Sequence, residues 1–229
     1  MAVAAERKLR LPLGNPLLPL QTGDSMTSAE FLRRAESCHA DQRVELIDGI
    51  VFMRPPLTTD HAAPDSTIGM WLSHYVAFTP GVEHFLNATL IIDADSTVQP
   101  DSILCTTPRA DGPVSITPDR YLAGAPELVC EIATSSVSLD LHRKLHVYRR
   151  AGVKEYLVWR TRDEAFDWFV NRDGTFVRQE PDRAGLLSSE VFPGLALDHK
   201  ALLAFDRAAL LRCLDKALAR RAKTRSKKR

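Results

Sequence analysis

The spacing of apolar residues changes several times along the chain, and each change predicts an element. Thr27 with Glu30 three positions later precedes Phe31, Leu32 and Ala35, a capping-box start for a short helix. In Val-Glu-Leu-Ile-Asp-Gly-Ile-Val-Phe-Met-Arg, two β-rich runs flank Asp48-Gly49, a hairpin signal because both residues tolerate positive φ. Ile68, Trp71, Leu72, Tyr75 and Val76 recur at helical spacing over 65–78, with Pro64 in the first turn and Pro80-Gly81 as the stop. Residues 82–92 and 97–105 read as strands, followed by a looped stretch to about 125.

The run 127–133 is almost continuously apolar, which predicts a strand buried on both faces. Residues 139–151 predict a helix stopped by Gly152. Leu141, Leu145 and Tyr148 form its inward stripe and Lys144 falls on it, while His142, Arg143, His146 and Arg149 point elsewhere. A strand over 154–160, a hairpin around 172–174 and a helix over 199–219 complete the pattern. The expected architecture is α/β, a central mixed sheet with flanking helices. Residues 1–25 form an irregular arm, 26–206 the domain, and 207–229 a helix end with a basic tail.

Of the 229 residues, 45% are hydrophobic and 26% charged, as in a globular chain with a core. No apolar run approaches the roughly 18 to 20 residues of a membrane span. The first twenty residues lack the basic-then-apolar order of a signal peptide, so a cytoplasmic location is expected. Cys38, Cys105, Cys130 and Cys213 are scattered with no C-x-x-C pair, against a disulfide framework or zinc ribbon. The last ten residues hold seven basic and no acidic groups, so the rest of a chain of net charge +1 carries −6. That tail reads either as a phosphate contact or as a solvated end.

Two carboxylates interrupt apolar strand patterns. Asp101 follows Pro100 at the head of Ser-Ile-Leu-Cys, and Glu131 stands inside Leu-Val-Cys-Glu-Ile-Ala. An ionised carboxylate there is costly unless paired or bound to metal. On neighbouring strands about 4.8 Å apart the two could share a cation, and hard oxygen ligands suit Mg²⁺ or Mn²⁺. The plainer reading has Asp101 capping a turn and Glu131 paired with an arginine. Lys144 on the inward stripe could stabilise charge developing on a phosphate; alternatively its stem packs while its amine reaches water.

The ordered segments V-E-L-I-D-G, Q-P-D, P-E-L-V-C-E-I-A-T-S-S, D-L-H-R-K-L-H-V-Y-R-R-A-G-V-K-E-Y-L-V-W and S-E-V-F-P-G-L-A-L-D together resemble the Uma-type restriction endonuclease family, within the PD-(D/E)XK nuclease superfamily, over roughly residues 27 to 206. The resemblance implies a restriction-endonuclease-like core and Mg²⁺- or Mn²⁺-dependent endonucleolytic hydrolysis of DNA. It makes Asp101 the P-D aspartate and Glu131 the acidic residue of the (D/E)-x-K element. The lysine of that element should stand at 133, where this chain has Ala133; the resemblance implies that Lys144 supplies the amine from the following helix. Glu45 matches a further acidic position, and the carbonyl of Ile132 joins Asp101, Glu131 and Glu45 as a metal ligand. A solvent-facing strand carboxylate is the plainer reading of Glu45. His61 is a candidate near a helix start, and Gln99 could orient a water or a phosphate. Many such nucleases are two-fold dimers, so a homodimer is compatible. Ala133 and the acidic body favour an alternative, a non-catalytic nucleic-acid-binding or interaction module keeping the fold. A glycosidase using the two carboxylates ranks last.

Overall fold

The computed structural model of the chain describes residues 19–36, 43–109 and 111–226. Cys38, most of the expected N-terminal arm and the last three residues of the basic tail lie outside them. Helix α1 (Ser28–Ala35) opens where the capping pattern places it, with the Thr27 hydroxyl accepting from Glu30 N at 3.4 Å. The Glu30 carboxylate turns to Arg33, so only half of the box forms. Strands β1 (Val44–Ile47) and β2 (Ile50–Met53) pair antiparallel through Asp48 (φ 49°) and Gly49 (φ 75°). Two successive positive φ values match the twist of a two-residue hairpin.

Helix α2 (Thr59–Ala77) begins six residues earlier than its apolar spacing predicts. Pro64 therefore lies past the first turn. It forfeits one backbone bond, and the buried Ile68, Trp71, Leu72 and Tyr75 face holds the helix nonetheless. Both long strands predicted next divide. The first breaks at Asn87 (φ 51°) into β3 (Val82–Leu86) and β4 (Leu90–Asp93). The second breaks at residues 99–101 into β5 (Ser96–Val98) and β6 (Ser102–Thr106). The expected loop to 125 contains β7 (Val114–Ile116) and β8 (Leu122–Gly124).

Strand β9 (Leu128–Ala133) is buried at every position, as its apolar run predicts. The next helix is not uniform: Leu139–Lys144 is π-helical and continues as α3 (Leu145–Ala151), which stops at Gly152 in the left-handed region. Then come β10 (Glu155–Arg160), β11 (Ala165–Arg172), β12 (Thr175–Arg178), β13 (Leu186–Ser188) and β14 (Ala196–Asp198). The single helix predicted over 199–219 is α4 (His199–Leu203) and α5 (Arg207–Ser226), separated at Phe205 (φ 54°).

The strands make two mixed six-stranded sheets, ordered β2-β1-β5-β4-β8-β7 and β12-β11-β10-β9-β6-β3, plus a β13-β14 ribbon. The predicted strands divide because each half joins a different sheet. Strand β9 lies parallel to β10 and antiparallel to β6. Its alternation sorts the core. Leu128, Cys130 and Ile132 pack with residues of α2 and α5, such as Trp71 and Leu214. Val129 and Ala133 pack with Ile47, Val147 and Tyr148 on the opposite face. Glu131 lies between Val129 and Ala133 and shares their face, toward α3 and the first sheet. No described helix is long and apolar enough to cross a membrane.

Candidate active site

Four segments converge between the sheets. Asp101 ends the crossing from β5 to β6, and its Oδ2 accepts from the backbone N–H of Ile132 at 2.7 Å, immediately after Glu131. Glu45, on the same face of β1 as Ile47, is fully buried; the reading of a solvent-facing carboxylate fails because Lys144, Arg54 and the Gln99 main chain close around it. Its Oε1 accepts from Gln99 N (2.8 Å) and from Lys144 Nζ (2.8 Å). Lys144 Nζ also donates to Glu131 Oε1 at 2.9 Å, and the Tyr148 hydroxyl donates to the same oxygen at 2.8 Å. Lys144 is 0% exposed, so its amine does not reach water; it bridges the two glutamates.

The buried stripe is displaced by one residue from the predicted one. The Leu145 N–H reaches back to the Asp140 carbonyl in a π turn, and Asp140, Lys144, Val147 and Tyr148, at i, i+4, i+7 and i+8, face inward while Leu141 and Leu145 are half-buried. Asp140 Oδ1 lies 3.8 Å from Lys144 Nζ. Arg54, which follows β2, brings Nη1 to 3.4 Å from Glu45 Oε2 and 3.8 Å from Glu131 Oε2. His61 Nε2 stands 3.2 Å from Asp101 Oδ1, at ion-pair distance without hydrogen-bond alignment. Gln99 contributes its main chain; its side chain turns to Thr89. Ile132 presents its N–H to Asp101 and lines the adjoining cleft.

Sequence patterns missed Arg54, Asp140 and Tyr148. A signal existed for two of them, since Asp140 and Tyr148 stand four residues either side of Lys144. Arg54 had only the period-two continuation of Phe52, the cross-strand partner of Glu45.

Electrostatics separates the carboxylates. Burial drives the Glu131 carboxyl up to about 8; Lys144 opposes the rise, while Asp140, Asp101 and Glu45 add to it. Burial acts the same way on Glu45, but Lys144, Arg54 and the Gln99 N–H outweigh it and hold its pKa below the usual value. Asp101 is likewise held low against burial, by His61, Arg54 and the Ile132 N–H. Burial alone would depress Lys144, yet Glu131 and Glu45 keep it above its ordinary value and charged.

The donor set suits a hard cation. Glu45 Oε2, Asp101 Oδ1, Glu131 Oε2 and Asp140 Oδ1 are buried without a hydrogen-bond donor. Unsatisfied oxygens of this kind are rare unless an ion or water completes them. No group of three or more His, Cys, Asp or Glu among the described residues converges tightly enough to hold a metal by itself. The fit is therefore to an ion that takes one or two carboxylates and keeps much of its water, as Mg²⁺ does.

Two adjoining clefts lie beside the cluster and meet it through Arg54, His61 and Ile132; the carboxylates themselves lie behind these residues. One, of about 150 Å³, is lined by His61, Ile132 and Arg162; the other, of about 480 Å³, by Phe52, Leu139 and Arg143. They share Arg54, Pro55, Ser135 and Ser136. Arg54, Arg143 and Arg162 thus line the two clefts of an otherwise acidic body. Arg143, expected to point away, lines this mouth. A larger cavity of about 590 Å³ between α2 and α5 shares no lining residue with these clefts.

Comparison with known proteins gives the family and the fold. The sequence model of the Uma2 family, described as "Putative restriction endonuclease", matches residues 28–200. The fold is similar to the crystal structure of a "putative nuclease belonging to DUF820 from Anabaena variabilis ATCC 29413", with TM-score 0.61 and 16% identity over 78% of this chain and 98% of that one. No curated protein matches the chain.

Proposed function

This chain belongs to the Uma2 family, and on that footing we propose that it is a metal-dependent endonuclease hydrolysing phosphodiester bonds of DNA. The observation that carries the proposal is the buried set Asp101, Glu131 and Lys144, with donor-free carboxylate oxygens beneath an arginine-lined mouth. Asp101 and Glu131 would hold Mg²⁺ or Mn²⁺, with Glu45 and the Ile132 carbonyl as further candidate ligands. When bound, such an ion supplies Lewis acidity toward the scissile phosphate.

The chain's own residues do the positioning. Ile132 N–H fixes one Asp101 oxygen; the other carries no hydrogen bond and faces His61 at 3.2 Å and Arg43 at 3.7 Å. Lys144 and Tyr148 fix Glu131 Oε1, which leaves Oε2 directed at Arg54. Lys144 thus acts through the carboxylates it holds, filling by its amine the electrostatic place left by Ala133. Arg54 and Arg162 line the cleft where a phosphate would enter, and preorganised charge of this kind is usually the largest contribution to phosphoryl transfer.

The test is cleavage of plasmid and oligonucleotide DNA by wild-type and Asp101→Asn protein in Mg²⁺, Mn²⁺ or chelator. Cleavage that needs both the metal and Asp101 supports the reading; equal rates for the two proteins overturn it. Ala133 and the lack of a compact three-ligand cluster favour one other reading, a binding module that keeps the fold. It predicts neither cleavage nor divalent-metal heat at millimolar concentration.

A further inference from the structure

We infer that the larger cleft is a binding site for an unpaired nucleobase, so that the substrate of the site is single-stranded or locally unpaired nucleic acid. The inference rests on the nuclease reading and adds the class of strand.

Its walls argue for a base. The Arg143 guanidinium carbon lies 5.7 Å from the centroid of the Phe52 ring, a cation–π pair on the cleft wall. Phe52 and Glu45 are directly opposed in the β1–β2 hairpin, so the ring projects on the face that carries the catalytic carboxylate cluster. Pro55 and Leu139 complete an apolar lining, and Ser135 and Ser138 stand exposed at the rim. A flat aromatic or guanidinium plane beside hydroxyls is the chemistry that holds a base by stacking and by its polar edge. A protein reading intact duplex instead presents a helix or strand to a groove. At about 480 Å³ the cleft has small-molecule dimensions, and it is concave.

Its position argues for a nucleotide next to the reacting one. The base cleft shares Arg54, Pro55, Ser135 and Ser136 with the smaller cleft that reaches His61 and Ile132. A strand whose base occupies the larger cleft would pass its adjoining phosphate across Arg54 into the smaller cleft, where His61 and Ile132, the neighbours of Asp101, form the wall. Base stacking tolerates any sequence because every base has a π face, so little sequence preference is expected at this position.

The test is fluorescence anisotropy with Asp101→Asn protein in chelator, where cutting is suppressed under the nuclease reading, and oligonucleotides of one sequence as single-stranded DNA, single-stranded RNA and blunt duplex. Single strands should bind at least about tenfold tighter than duplex. Phe52→Ala and Arg143→Met should each weaken single-strand binding about tenfold and leave duplex binding unchanged. Phe52→Leu keeps the apolar packing and removes the ring, so a loss there cannot be assigned to misfolding. The tighter of the DNA and RNA arms identifies the sugar. Duplex binding as tight as single-strand, or Phe52→Leu binding like the parent, overturns the inference even where wild-type protein cuts DNA. Single-strand binding that depends on Phe52 in a protein that never cuts upholds it and overturns only the nuclease reading.

Discussion

Lys144 Nζ and Glu131 Oε1 lie 2.9 Å apart, both side chains fully buried, although thirteen residues separate them and the amine arrives from the helix rather than from the strand. Ala133 occupies the strand position on the same face as Glu131 and packs in the core. The buried bridge is thus assembled from two elements, strand β9 and the π turn before α3.

Breaking this pair should be costly. Lys144→Met leaves Glu45 and Glu131 buried with Arg54 as their nearest cation, and loss of one partner of a buried pair typically costs about 3 to 5 kcal/mol. Denaturant unfolding should show a loss on that scale. Lys144→Met with Glu45→Gln should recover part of it, because Glu45 is the glutamate held ionised and the second change removes the stranded charge. Arg150→Met, which removes only exposed pairs with Asp48 and Asp93, should cost at most about 1 kcal/mol. Equal losses for Lys144→Met and Arg150→Met would remove the buried bridge from the account.

Asp101→Asn should fold, since an amide oxygen still accepts from Ile132 N–H. It should bind Mn²⁺ at least about tenfold more weakly and cut DNA about two orders of magnitude more slowly. Titration calorimetry with Mn²⁺ separates the binding loss from the rate loss. Unchanged Mn²⁺ affinity would place the ion elsewhere.

Glu131 sets a pH dependence. Its carboxyl is raised from 4.5 to about 8 by burial in the folded protein. Between those values the folded state keeps a proton that the unfolded state has released, so this group lowers stability as pH rises through the window. Thermal melts of metal-free protein should fall from about pH 5 to about pH 8, and Glu131→Gln should flatten that slope relative to wild type. Mn²⁺ binding should release a proton in the same window and tighten as pH rises. Identical slopes for wild type and Glu131→Gln would contradict the assignment.

Arg54 faces the carboxylate oxygens that carry no hydrogen bond, so it repels any cation approaching them. Arg54→Gln should bind Mn²⁺ about tenfold tighter in calorimetry, equivalent to ~1.4 kcal/mol, while its turnover falls because the phosphate loses a partner. Weaker Mn²⁺ binding by the variant would show that Arg54 organises the carboxylates instead of competing for them.

Local pattern was sufficient for the parts of the site that each belong to one segment. The Asp48-Gly49 hairpin, the doubly buried β9 run and the Gly152 helix stop depend on neighbours within a few residues, and all appear where the pattern places them. Asp101 and Glu131 were visible because a carboxylate in an apolar strand is out of place. Resemblance to the family was needed to single out Glu45 and to match Lys144 to the missing strand lysine. Tertiary structure alone decided that Glu45 is buried, because Lys144, Arg54 and the Gln99 main chain close around its carboxylate from separate segments. It also decided that Arg54 and Tyr148 meet Glu131, and that Arg143 covers Phe52 at the mouth. Those contacts join residues from separate elements, and a local period along the chain sorts the faces of one element without saying which other element will cover them.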